Sequence, residues 1–122
     1  MMKLLIVDDH TDTRAVIRSY LSPLVEQITE CADGQAAIDL CRRDEPDVMT
    51  LDLRLGNEDG IAILEFVRAH FPDIHVVVVT QFREPAIAEL VVRMGAAGCF
   101  AKSDLSELHA YLQSYLSGVT AL

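Results

Sequence analysis

Residues 4–10, Leu4-Leu5-Ile6-Val7-Asp8-Asp9-His10, decide the fold. An apolar run ends abruptly on two acids. A run this short and this apolar reads as a buried strand of a parallel sheet, covered on both faces. The pattern returns further along the chain. Val48-Met49-Thr50-Leu51 ends on Asp52, Val76-Val77-Val78-Val79 on Thr80, and Cys99-Phe100-Ala101 on Lys102. Polar groups at the carboxyl ends of such strands converge on one crevice, where open α/β sheets bind their ligands. Asp8, Asp9, Asp52, Thr80 and Lys102 would therefore share a pocket. Acids, a hydroxyl and an amine together are equipment for a divalent cation and a phosphoryl group.

Helical periods fill the gaps between these runs. A helix beginning near His10 carries Thr13, Val16, Ile17, Leu21 and Leu24 on one stripe, and Pro23 ends it or marks its last turn. Asp8 and Asp9 suit its amino end, which favours acids. Gln27 to Cys31 reads as a short second strand. Asp33-Gly34 opens a helix with Ala37, Ile38, Leu40 and Cys41 inward, stopped by Pro46. Gly60 to His70 is a third helix, with Ile63, Leu64 and Val67 inward, and Ile74 to Val79 the fourth strand. Glu84-Pro85 starts a fourth helix with Ile87, Leu90, Val91 and Met94 inward and Gly95 as its stop. The fifth strand is Cys99 to Ala101. Asp104 and Glu107 resemble a capping box for a last helix with Leu105, Leu108, Leu112 and Leu116 inward, ended by Gly118. Strands separated by helices run parallel with right-handed crossovers. The spacing leaves Arg54 to Asp59 as the longest loop.

The chain has 122 residues, enough for one domain, and 51% of them are apolar, enough for an ordinary core. No apolar run approaches the ~20 residues of a membrane span. Met1-Met2-Lys3 runs straight into strand-like sequence, which leaves no room for a signal peptide. Cys31, Cys41 and Cys99 have no paired spacing and read as reduced core residues of a cytoplasmic protein. A formal charge of −9 argues against direct binding of nucleic acid or an anionic membrane.

Over essentially its whole length the chain resembles the receiver domain of two-component response regulators. The resemblance rests on Asp8-Asp9, Asp52, Gly60, Thr80 and Lys102, in that order. Asp8-Asp9-His10 with Arg14, and Gly95-Ala96-Ala97-Gly98, resemble the NarL-type subfamily. It implies a single doubly wound, flavodoxin-like (βα)5 domain over 1–122, with a five-stranded parallel sheet in the order 2-1-3-4-5. It implies that Asp52 accepts a phosphoryl group from a histidine kinase or phosphotransfer protein, forming an acyl phosphate. Mg2+ would be held by Asp9, Asp52 and the backbone carbonyl of Arg54, with Asp8 partly through water. Lys102 would pair with the phosphoryl oxygens and Thr80 would donate to one of them. The fourth helix, fifth strand and fifth helix would form the readout face, with a homodimer there as a candidate assembly, and the first helix would dock the kinase. In the subfamily a DNA-binding output domain usually follows the receiver, which here would lie beyond Leu122. His10 is assigned to the surface or to partner contact, because magnesium prefers oxygen.

Four positions depart from the family. Cys99 stands where an aromatic switch residue is usual, and Phe100 cannot replace it, since neighbouring strand residues face opposite sides. Switching is therefore expected to rely on the loop before the fourth helix and on that helix itself. Gln81 follows Thr80 where a small residue is usual, which should narrow access to Asp52. Arg54 and Phe82, two residues after Asp52 and Thr80, occupy positions that tune how water reaches the acyl phosphate. Ser103 replaces a frequent proline, so the Lys102–Ser103 bond should be trans.

Other functions fit less well. Taken singly, Thr80 reads as a turn residue and Lys102 as a solvated lysine. Asp52 is least explained by packing alone, because an unpaired acid behind a buried run is costly. A phosphohydrolase of the haloacid-dehalogenase type needs an acid where Arg54 stands. A flavodoxin-like nucleotide binder would have its phosphate repelled by Asp8 and Asp9. The remaining alternative is a receiver-fold interaction module that is not phosphorylated, which Cys99 and Gln81 keep open.

Overall fold

The computed structural model describes residues 1–81 and 83–118. In chain order the elements are β1 (Lys3–Val7), α1 (Thr11–Leu21), a 3-10 turn (Ser22–Leu24) that carries Pro23 and Leu24 past the end of α1, β2 (Gln27–Cys31), α2 (Gly34–Arg43), β3 (Val48–Leu51), β4 (Arg54–Leu55), β5 (Glu58–Asp59), α3 (Gly60–His70), β6 (His75–Thr80), α4 (Pro85–Arg93), β7 (Gly98–Ala101) and α5 (Leu105–Ser117). β1, β2, β3, β6 and β7 form one parallel sheet in the order β2-β1-β3-β6-β7. Apart from the inserted pair β4–β5, this is the expected 2-1-3-4-5 arrangement.

Strand parity builds two cores. Leu5, Val7, Met49, Leu51, Val76, Val78 and Cys99 point to one face, against Ala37 and Cys41 of α2, Ile63, Leu64 and Val67 of α3, and Val91 of α4. Leu4, Ile6, Val48, Val77, Val79 and Phe100 point to the other, against Ile17 and Leu21 of α1 and Leu105, Leu108 and Leu112 of α5. Cys99 and Phe100 thus lie on opposite faces. Because the central strands are buried on both sides, the charged groups of the site are confined to their carboxyl ends, and Thr50 is the exception, a polar side chain buried within β3.

Some expectations need correction. Val16 is 46% exposed and Leu90 38% exposed, so neither belongs to its helix's inward stripe. Each stripe is narrower than the spacing suggested: Ile17, Leu21 and Leu24 pack on one core, and Ile87, Ala88, Val91 and Met94 on the other. Asp8 and Asp9 do not cap α1. Its N-cap is His10, with no side-chain cap bond, and Asp8 Oδ1 accepts from the His10 amide at 2.8 Å. The segment from Arg54 to Asp59 is a hairpin rather than a loop, with Arg54 opposite Asp59 and Leu55 opposite Glu58. Gly56 turns it with a φ of 62°. A two-residue Gly-Asn turn between paired residues is a hairpin signal the sequence did carry. Elsewhere local chemistry held. Asp33 and Asp104 cap α2 and α5 by accepting from the Ala36 and Glu107 amides, Pro85 opens α4, and the Lys102–Ser103 bond is trans.

At the amino end of β6, His75 is clamped by α5. Its ring stacks on Tyr115 with centroids 3.6 Å apart, and its Nε2 hydrogen-bonds the Tyr111 hydroxyl at 2.8 Å. Burial, aided by Arg68, lowers its pKa from 6.5. The native state therefore favours the neutral ring. The stability this gives is present above pH 6.5 and is lost as pH falls through the lower folded value. Melting temperature is expected to fall from about pH 7 to about pH 5 less steeply in His75→Gln than in the natural chain. Parallel profiles would show that His75 is not the group responsible.

Candidate functional site

The carboxyl ends of β1, β3, β6 and β7 meet in a cleft of about 500 Å³ lined by Asp9, His10, Asp52, Arg54, Gly56, Thr80, Gln81 and Lys102, among others. Asp8 lies behind it, 1% exposed, with Asp52 5% exposed. Strand register places the acids. The Asp52 amide donates to the Val7 carbonyl at 3.0 Å, so β3 delivers Asp52 level with the end of β1. The Lys102 amide donates to the Thr80 carbonyl at 2.8 Å, which brings the ends of β6 and β7 together in the same way.

Lys102 holds the centre. Its Nζ donates to Asp52 Oδ2 at 2.9 Å and lies 2.9 Å from Asp8 Oδ2. Burial alone would lower its pKa, but the contacts with Asp8 and Asp52 outweigh that and raise it. Burial pushes the Asp52 carboxyl above the usual carboxylate value, against the opposing pull of Lys102 and the Arg54 amide. One ammonium therefore faces two buried carboxylates, with Asp9 beside them.

Asp8, Asp9, His10 and Asp52 each offer a ligand atom within 4.8 Å of the others. Asp8 Oδ2 and Asp9 Oδ1 are buried and accept no backbone hydrogen bond among the described residues, their polar neighbours being Lys102 Nζ at 2.9 Å and His10 Nδ1 at 3.0 Å. Carboxylate oxygens gathered in one cluster of acids are the donor set a hard divalent cation takes. The residues present thus fit Mg2+. His10 Nδ1 lies 3.0 Å from Asp9 Oδ1, with a side chain that is largely exposed.

The hairpin completes the cleft. Asp9 Oδ2 accepts from the Gly56 amide at 3.0 Å, Asp52 Oδ1 accepts from the Arg54 amide at 3.3 Å, and Glu58 Oε2 accepts from the Gly34 amide at 3.1 Å, tying the hairpin to α2. The Gly56 and Gly34 contacts do not follow from residue type, because each is a backbone donor from a distant segment, whereas the Arg54 amide lies only two residues from Asp52, a local turn that an aspartate commonly makes. The Arg83 side chain, also unassigned by sequence, donates to the Cys99 carbonyl at 2.7 Å. Phe82 lies outside the described residues.

Gly60 has a direct steric reason. A Cβ there would collide with the Asp52 carbonyl oxygen and lie 2.5 Å from Leu53 Cα. Gly60→Ala is expected to cost about 1–3 kcal/mol, the usual price of overpacking, and to displace Asp52. A urea titration checks the first, and an unshifted midpoint would show that the backbone accommodates the methyl group.

Fold and cleft together define a known class. Residues 4–113 match the family model described as the response regulator receiver domain. The chain belongs to that family. It is 30% identical over 115 residues to sporulation initiation phosphotransferase F of Bacillus subtilis, covering 93% of each chain. It is 34% identical over 105 residues to the probable transcriptional regulatory protein NarL of Mycobacterium tuberculosis, covering 84% of this chain and 49% of that one. Among solved structures, the RcsB response regulator of Salmonella typhimurium superposes with a TM-score of 0.87 at 28% identity, over 96% of this chain and 60% of that one. The Mn2+-bound form of response regulator Rcp1 shares the fold with a TM-score of 0.78 at 21% identity, over 96% of this chain and 93% of that one. The chain thus spans nearly all of the first relative and about half of the second. Among the described residues no helix is long and apolar enough to cross a membrane.

Proposed function

We propose that residues 1–122 act as a phosphorylation switch in which Asp52 accepts a phosphoryl group, with Mg2+, from a histidine kinase or phosphotransfer protein. The observation that supports this best is Lys102, 2.9 Å from both Asp8 and Asp52 in a cleft that also holds Thr80. Asp9, Asp52 and the Arg54 backbone carbonyl would hold the cation, with Asp8 reaching it through water. When bound, the cation supplies positive charge against the acids and the phosphoryl oxygens.

A carboxylate oxygen of Asp52 forms the bond to phosphorus. The bond from phosphorus to the donor histidine breaks, and its electron pair leaves with the imidazole. Lys102 pairs with a phosphoryl oxygen as a point charge, and the Thr80 hydroxyl donates to another. The product stays attached to the chain, so the domain is a phosphoacceptor rather than an enzyme that turns over. Phosphorylation then shifts the population between two states. The face made by α4, β7 and α5, where Leu90 and Val92 are exposed, is the readout surface and the candidate homodimer face. The unpaired Cys31, Cys41 and Cys99 accord with a reducing cytoplasmic setting.

Incubation with Mg2+ and a small phosphoramidate, followed by intact mass, tests this reading. One phosphoryl group is expected, and none without Mg2+. A chain that stays unmodified under both conditions would favour the unphosphorylated binding module instead. Steady release of inorganic phosphate from a small phosphate ester would favour a phosphohydrolase. Because the exposed Gln81 lines the cleft, Gln81→Ala is expected to load several-fold faster from the same small donor. Equal loading rates would show that Gln81 does not restrict access.

A further inference from the structure

The turn that carries Asp8 and Asp9 is gripped from behind by a group the phosphoryl chemistry does not use. Val7, opposite Cys31, is the last paired residue of β1 on the β2 side. The Asp8 amide still reaches the Cys31 carbonyl at 3.1 Å, but the Asp8 carbonyl lies past the end of the strand. Arg14 of α1 supplies its partner, with Nη1 donating to that carbonyl at 2.6 Å. The same guanidinium donates through Nε to Glu30 Oε1 at 3.0 Å. Glu30, on β2, takes Arg18 Nε on its other oxygen at 2.6 Å. The Arg14 side chain is 15% exposed, against 46% for Arg18. Arg14 therefore bolts α1, β2 and the acid turn together, while Arg18 braces only Glu30.

We propose that Arg14 is a positioning residue for cation binding: by holding the Asp8 carbonyl it fixes the turn that presents the Asp8 and Asp9 carboxylates. This rests on the reading that the cleft takes Mg2+. Charge and position make opposite predictions. A guanidinium acting by charge alone repels a cation, so its removal would tighten Mg2+ binding. One acting by position must weaken binding when removed, as outer partners of metal ligands do by about 10–100-fold.

Calorimetric titration with MgCl2, without phosphodonor, separates the two. Arg14→Ala is expected to bind about tenfold more weakly, at the low end of that range. Arg18→Ala, which also costs Glu30 a partner but touches no part of the turn, should match the natural chain. Arg14→Lys keeps the charge but cannot span Asp8 and Glu30 together, so it should fall between, and it carries the test if the alanine variant does not fold. Unchanged or tighter binding by Arg14→Ala, or an equal loss in Arg18→Ala, would overturn the proposal while leaving the cation reading intact. A natural chain that takes up no Mg2+ would overturn both.

Discussion

Lys102→Met is expected to lose about 3–5 kcal/mol of stability in the absence of divalent cation, the usual cost of removing one partner from a buried charge pair. Its ammonium lies 2.9 Å from Asp8 and from Asp52, and these side chains are 1% and 5% exposed. Without it, carboxylates face one another away from water with no opposing charge. The sign with pH follows. The orphaned acids would hold raised pKa values, so the deficit should shrink as pH falls and they protonate. Mg2+ should also restore part of the loss, since it offers the missing charge. Urea titrations with and without MgCl2 read both effects. A loss below about 1 kcal/mol would match a solvated surface pair and would remove Lys102 from the centre of the site. Phosphoryl loading of this variant should fall at least tenfold.

The second large effect is chemical. Asp52→Asn is expected to abolish phosphoryl incorporation, because an amide offers no carboxylate nucleophile. Stability should move the other way. Burial raises the Asp52 pKa, with the Asp8 charge adding to the effect, so its charge is destabilising at neutral pH and that destabilisation is relieved as pH falls through the folded value. The neutral amide removes it, and Lys102 keeps its contact with Asp8. A variant that cannot be phosphorylated yet melts higher than the natural chain is the combined expectation. A site selected for reaction rather than for stability behaves in this way. Residual loading would mean that another residue accepts the phosphoryl group, and a lower melting point would mean that the Lys102–Asp52 pair contributes more than burial of the charge costs.

The strand ends were legible because burial on both faces disfavours charged residues anywhere else along the central strands, Thr50 being a polar but uncharged exception. Asp8, Asp52, Thr80 and Lys102 each stand at the first position where an apolar run can tolerate polarity. Strand parity alone also places Cys99 and Phe100 on opposite faces. What stayed hidden depends on how distant segments meet. The Gly56 amide reaches Asp9, and the Arg14 guanidinium reaches the Asp8 carbonyl. Those bonds are made to or by backbone groups, which every residue type carries alike. Val16 and Leu90 failed for a related reason. A helical period marks an apolar stripe, but the neighbouring sheet decides how wide a stripe it covers. The hairpin after Asp52 was the avoidable miss, since Gly56-Asn57 is turn chemistry in plain view.

The most direct test of the central claim is to trap the phosphorylated chain with borohydride after loading with Mg2+ and a small phosphoramidate. Hydride reduces an aspartyl phosphate to homoserine and leaves free aspartate untouched. Peptide mapping is expected to find homoserine at position 52 and at no other aspartate, with none formed when Mg2+ is left out. Homoserine at Asp8 or Asp9, or aspartate intact at all three positions, would contradict it.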